Sequence, residues 1–318
     1  MHKRYHKFLS LFLGLLVFTF TCSSQRRQKP VSLFNGKDLA QWNLGSKPAF
    51  EVTGGKIRTT VQNGDNLFTK KVFGNFILNF DYLLSKVGNS GILIRCDPAD
   101  PWTTGVEIQL LAPWTPYRDD LHCTASLYGH VAITHRPDET PEVWHHMEIV
   151  CDRKYIRISV DGMMATEVQI DTVESLKNMH LEGAIGIQSN HSTKEAFVQF
   201  KNVTILDLDE DPAYVLDGFS ERDPQIRAQA QNAALGLHDN TAIHRLIKML
   251  DTQNPRLVKG SREVLIDMIA KVTRPRASEK AYDSIVQTIE NAKRNNEVQS
   301  KEAVQYLDWL LYLTANRN

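Results

Sequence analysis

The sequence predicts an antiparallel β-sandwich or jelly roll followed by a small all-α domain, and three observations carry that reading. From Val31 to Asp207 apolar residues recur with period two, whereas after Asp211 they recur at helical spacing. Length supplies the third: 318 residues exceed one typical domain of about 100–200 residues. The composition, 42% hydrophobic and 23% charged, is that of a globular chain.

Residues 1–22 stand apart from the fold. His2, Lys3, Arg4 and Lys7 are basic, Phe8 to Phe20 is almost wholly apolar, and Thr21-Cys22-Ser23-Ser24 follows. A basic start, a short apolar run and a small-residue cleavage point form a secretory signal, and the run falls short of the about 20 residues a spanning helix needs. The Phe-Thr-Cys ending resembles a bacterial lipoprotein lipobox. It implies cleavage before Cys22 and acylation of its thiol, with several chains anchoring stably where one would not. Residues 23–30 then form a polar tether. The expected location is a bacterial outer membrane. Gln25-Arg-Arg-Gln-Lys29 is basic, which favours its periplasmic face.

The β region, residues 31–207, follows. Phe76, Leu78, Phe80, Tyr82 and Leu84 share one strand face, with Asn79 and Asp81 on the other. Val106, Ile108 and Leu110 alternate with Glu107 and Gln109, and Ile156, Ile158 and Val160 with Arg157, Ser159 and Asp161. Gly54-Gly55 and Asp161-Gly162 are tight hairpin signals. Many short strands separated by turns indicate two packed sheets. The acidic run from Asp207 to Asp211 is a junction, and residues 212–318 are helical. Leu246, Ile247 and Leu250 share a helix face, as do Val264, Leu265, Met268 and Ile269, and Tyr306, Trp309, Leu310 and Leu313. Asp223-Pro224 and Asn254-Pro255 each set a capping residue before a first-turn proline. Their spacing of 31 residues resembles the opening of HEAT-type repeats, whose period is about 40–47. Two independently capped helices would look the same.

Composition removes several functions. The 37 basic and 37 acidic residues balance, so no broad electrostatic grip on nucleic acid is written in the chain. Loss of residues 1–22 leaves 34 bases against 37 acids, a net charge of −3. Cys96, Cys123 and Cys151 are too few for a disulfide scaffold, and no Cys-x-x-Cys occurs. Neither a P-loop, a dinucleotide fingerprint nor a Gly-x-Ser-x-Gly elbow is present, so no cofactor is identified. A divalent metal in a carboxylate-lined cleft stays open, although no Asp-rich loop marks one.

Ser32-Leu-Phe-Asn-Gly-Lys-Asp-Leu39 with Trp42 opens the β region. Gly88-Asn-Ser-Gly-Ile92, Arg95, Gly105-Val-Glu107-Ile-Gln109 and Ser126-Leu-Tyr128 follow in order. Glu142-Val-Trp144-His145, Gly183-Ala-Ile-Gly-Ile-Gln188, His191 and Phe200-Lys-Asn-Val203 complete the series. Together they resemble the 3-keto-disaccharide hydrolase domain family over roughly 175 residues, one domain's length. The resemblance implies a concanavalin A-like jelly roll that cleaves glycosides whose C3 hydroxyl is already a ketone. Such a ketone acidifies the C2 hydrogen, so a base can remove it and the C1 substituent can leave; water then adds to the enone. The route needs a base, donors for the enolate and an acid for the leaving oxygen.

Asp81, Arg95, Glu107, Gln109 and Gln188 each occupy the polar phase of a strand, and adjacent strands would bring them to one cleft. Glu107 is the expected base and His191 the acid/base partner. Arg95 and Gln109 would orient sugar or hold the enolate, Asp81 would hold Arg95, Gln188 would bind substrate and Tyr128 would form a wall. Polar strand faces are also ordinary solvated surface. His191 sits in Asn190-His191-Ser192 rather than the family's Asp-His-Gly-like segment, and His145 replaces a common Asn. His145 and His146 point to opposite strand faces, so they make no metal pair. Trp102 and Trp114 suit either sugar stacking or packing. His122, His130 and His135 are indistinguishable here from surface histidines. The alternative function is a non-catalytic carbohydrate-binding lipoprotein, with the helical domain meeting a protein partner.

Overall fold

The structure, a computed structural model, describes residues 29–60, 63–114, 118–237, 240–275 and 277–315. The expected signal segment with Cys22, and tether residues 23–28, lie outside the described residues.

Antiparallel strands form two sheets. The large sheet holds β1 (Val31–Ser32), β3 (Phe50–Thr53), β4 (Lys56–Thr59), β6 (Phe76–Leu84), β9 (His145–Asp152), β10 (Tyr155–Val160), β11 (Met163–Gln169) and β13 (Val198–Asp207). Its order is β11-β10-β9-β6-β13-β4-β3, with β1 also on β13. The small sheet holds β2 (Trp42–Asn43), β5 (Leu67–Thr69), β7 (Asn89–Cys96), β8 (Val106–Leu111) and β12 (Ala184–Ile187), ordered β2-β5-β12-β7-β8. Sequence neighbours are often not sheet neighbours, as expected of a jelly roll.

Alternation sets which face is buried. Phe76, Leu78, Phe80, Tyr82 and Leu84 are all buried in the core between the sheets, as are Ile92, Ile94, Val106, Ile108 and Leu110 from the small sheet. Burying each such side chain is worth about 1.5–3 kcal/mol, so β6, between β9 and β13, is the spine of the large sheet. The β3–β4 hairpin turns at Gly54 and Gly55 with φ of 55° and 74°; the β10–β11 hairpin turns at Asp161 and Gly162 with φ of 50° and 79°. Consecutive positive φ values make the turn whose twist suits a two-residue hairpin.

Helices α2 (Pro212–Asp217), α3 (Pro224–Ala234), α4 (Asn240–Met249), α5 (Pro255–Val272), α6 (Glu279–Arg294) and α7 (Lys301–Ala315) enclose a second core. They follow α1 (Pro101–Thr104), a single turn between β7 and β8. Asp223 accepts from the Gln225 N–H at 2.8 Å and Asn254 from the Arg256 N–H at 3.0 Å, so both residues cap their helices. Helix α3 packs on α5 and α4 on α6. No helix among the described residues is long and apolar enough to cross a membrane.

Arg95 joins the pieces. It sits at a bulge in β7 with φ of 53° and is fully buried. Its Nε donates to the Gly74 carbonyl at 2.8 Å, and its Nη1 to the Arg153 carbonyl in the β9–β10 turn at 2.7 Å. The same turn reaches the helical domain: Arg153 pairs with Asp217 at 3.0 Å and Glu221 at 2.9 Å, and Lys154 with Asp223 at 2.6 Å. Removing a buried charged donor strands two carbonyls. Arg95→Met is expected to lower the unfolding free energy by about 2–4 kcal/mol in denaturant titrations; an unchanged midpoint would contradict this role.

Candidate active site

The outer face of the small sheet gathers most of the candidate residues. Register aligns Gly186 with Leu93 and Leu93 with Glu107 in one cross-strand row. The next row holds Gly91 opposite Gln109, and the Gln188 N–H donates to the Gly91 carbonyl at 2.9 Å. Ile92, Ile108, Ile185 and Ile187 face the core, so Glu107, Gln109 and Gln188 face outward by alternation. Phe68, Leu93, Cys96 and Ala184 form a small buried apolar cluster on that same outer face.

Gly91 is the gap in this surface. A Cβ there would lie 2.1 Å from Glu107 Oε1 and 2.7 Å from its Cδ. The Glu107 carboxyl therefore fills the space a side chain would take and sits between Gln109 and Gln188. Its Oε1 is shielded from solvent and has no hydrogen-bond partner; the same holds for Gln188 Oε1 and Ser126 Oγ. Burial pushes the Glu107 carboxyl up to about 8. At pH 7 the protonated form is therefore favoured. Such a group is basic enough to attack an acidified C–H, yet ionises near neutral pH. Among its neighbours, Gln188 Oε1 is left to accept from a substrate hydroxyl and Ser126 Oγ to donate to a substrate oxygen.

Residues 125–128 extend the sheet along the free edge of β8. Ile108 bridges Leu127, the Gln109 N–H donates to Ser126 O at 3.1 Å, and the Tyr128 N–H to Glu107 O at 2.9 Å. Leu127 is buried in the core whereas Tyr128 is exposed, so Tyr128 stands beside Glu107 on the outer face. On the other side, a cavity of about 550 Å³ is walled by Phe68, Trp102, Gln188 and His191, with Asn43 and Asp65 on its rim. His191 is exposed, held through its N–H to Asn89 O at 3.0 Å. The exposed Trp102 lies on α1, just before β8.

Four of the sequence candidates, Glu107, Gln109, Tyr128 and Gln188, thus converge, with His191 one step away along the cavity. Two do not. Asp81 lies on the outer face of the large sheet, where it accepts from Asn202 Nδ2 at 2.6 Å and contacts His146 Nδ1 at 2.8 Å. It does not hold Arg95, whose buried guanidinium serves the domain junction. His145 is buried against Asp161 Oδ2 at 2.7 Å while His146 is exposed. Among the described residues no three His, Cys, Asp or Glu side chains gather to hold a metal ion. Gly91 and Ser126 were missed as site residues; a glycine inside a strand pattern was the available signal, because it marks close approach.

The raised Glu107 group burdens the fold. The folded protein retains on Glu107 a proton that the unfolded chain loses near 4.5, so stability declines as pH rises from about 4.5 to about 8. Glu107→Gln has no proton to lose. It is expected to melt higher than the wild type at pH 9, with the gain vanishing at pH 4; parallel melting curves across that range would contradict the burial argument.

Comparison with known proteins then identifies the β domain. The family model for the 3-keto-alpha-glucoside-1,2-lyase-like domain matches residues 29–206. A solved Parabacteroides distasonis structure, described provisionally as a glycosyl hydrolase, is similar at 23% identity and a TM-score of 0.51, covering 57% of this chain and all of that one. A second such structure from that organism shows 24% identity and a TM-score of 0.48, over 55% of this chain and 92% of that chain. At these identities the likeness concerns the fold. No curated protein matches. With more than half its length matched, the chain belongs to the family of 3-keto-alpha-glucoside-1,2-lyase-like domains.

Proposed function

We propose that this protein cleaves glycosides bearing a ketone at C3: Glu107 removes the C2 proton, the C1 substituent departs and water adds to the enone. The observation that carries the reading is the Glu107 carboxyl lodged over Gly91, unpaired at Oε1 and raised to about 8. An ordinary glycosidase would need two carboxyl groups flanking the bond, whereas the row that holds the Glu107 carboxyl has the amides of Gln109 and Gln188. The carbonyl activates C2, so one base suffices there. Gln109 and Gln188 supply amides for the enolate oxygen. The 550 Å³ cavity has room for the keto sugar, with Trp102 as a stacking surface and His191 on its wall. In this reading acylated Cys22 anchors the protein at the outer membrane, facing the periplasm, and the helical domain is free to meet a protein partner.

Incubation with a 3-keto-disaccharide and with its unoxidised parent tests the proposal. Only the keto form is expected to release sugar, and Glu107→Gln should release none. Gly91→Ala, whose methyl displaces the carboxyl, should lose about 10²-fold in rate with a melting temperature at pH 4 near that of the wild type. Retention of both sugars without cleavage would establish a carbohydrate-binding module instead.

A further inference from the structure

The elimination leaves one role open, protonation of the departing C1 oxygen. His191 is separated from Glu107: it stands past the end of β12, and the cavity it lines does not include Glu107. Another imidazole lies on the Tyr128 side. His122 packs edge-on against the Tyr128 ring at 4.8 Å between centroids, and the Tyr128 backbone N–H donates to the Glu107 carbonyl across the sheet edge. His122 Nδ1 contacts Asp119 Oδ1 at 2.7 Å, and the same carboxylate oxygen accepts from the Leu121 N–H at 3.0 Å. The carboxylate is therefore fixed by the backbone, and it fixes the ring in turn. The His122 hydrogen bond holds the Asp119 carboxyl below its usual range.

The loop carrying this pair is itself held. The buried Glu139 pairs with Arg118 and Arg136, Arg136 also pairs with Asp120, and the Thr124 N–H points to Glu139 Oε1 at 3.3 Å. Cys123, Thr124, Ala125, Ser126 and Leu127, which follow His122, are completely buried. Such anchoring gives the imidazole a defined place rather than a surface excursion.

We infer that His122, oriented by Asp119, is the general acid of the site. The inference rests on the keto-glycoside reading above. Glu107 takes the C2 proton, and its electron pair forms the C1–C2 double bond as the C1–O bond breaks. The imidazolium gives its Nε2 proton to the leaving oxygen, while Nδ1–H stays on Asp119. Water then adds at C1 and returns a proton to Nε2 as Glu107 returns its own to C2, so the net change is hydrolysis with both groups restored. Asp119 is a positioning residue: it sets the tautomer and the orientation of the ring.

Leaving-group dependence tests this on the full chain, with a 3-keto-disaccharide and a 4-nitrophenyl 3-keto-glycoside. Nitrophenolate departs without a proton, whereas a sugar alkoxide needs one. His122→Ala is expected to lose about 10²–10⁴-fold in kcat on the disaccharide and less than tenfold on the nitrophenyl substrate. Asp119→Asn should lose less, with the same asymmetry. Equal losses on both substrates, no loss, or the asymmetry appearing in His191→Ala would each overturn the assignment. A wild-type protein that cleaves neither substrate would instead remove the keto-glycoside reading, and this inference with it.

Discussion

The architecture around the site depends on one steric fact: Gly91 leaves a bare position on the outer face of the small sheet, and the Glu107 carboxyl occupies it. Any larger residue at 91 would drive the carboxyl out toward water. There it would ionise as an ordinary carboxylate and lose its strength as a base. Lodged over Gly91, in the row that holds Gln109 and Gln188, it holds its proton up to about pH 8. The fold loses stability there to keep a desolvated carboxyl, an arrangement common at sites of chemistry.

The two domains meet through polar contacts radiating from a buried guanidinium. Arg95 ties the small sheet to Gly74 and to the β9–β10 turn, and that turn reaches Asp217, Glu221 and Asp223 on the helical side. The Tyr214 hydroxyl donates to Asp152 at 2.6 Å and the Gln229 amide to Leu181 O at 2.8 Å, widening the junction. The helices therefore brace the end of the sandwich away from the Gly91 row, and the candidate site is built from the β domain alone.

Much of this was legible in the sequence. Period-two alternation located β6, β8 and β10 and their buried faces, and paired turn residues located the hairpins at 54–55 and 161–162. Glu107, Gln109 and Gln188 followed from the same arithmetic. Asp81 obeyed it too, yet it faces the wrong surface: a sandwich has two outer faces, and periodicity does not say which sheet a strand joins. Arg95 was misplaced for another reason. Counting from Leu93 puts it outward, but the bulge with φ of 53° turns it inward, and no periodicity survives an extra residue. His122 belongs to a loop, where position depends on contacts distant in sequence, such as that of Arg118 with Glu139.

The central claim is that a proton leaves carbon, and isotopic labelling at C2 reads this directly. When a 3-keto-disaccharide carrying deuterium at C2 is cleaved by the wild-type protein in a single turnover, it should react measurably more slowly than its protium counterpart, because the C2–H bond breaks on the way to the enone. Equal rates for the two substrates would show that the C1–O bond breaks without touching C2, and would contradict the account.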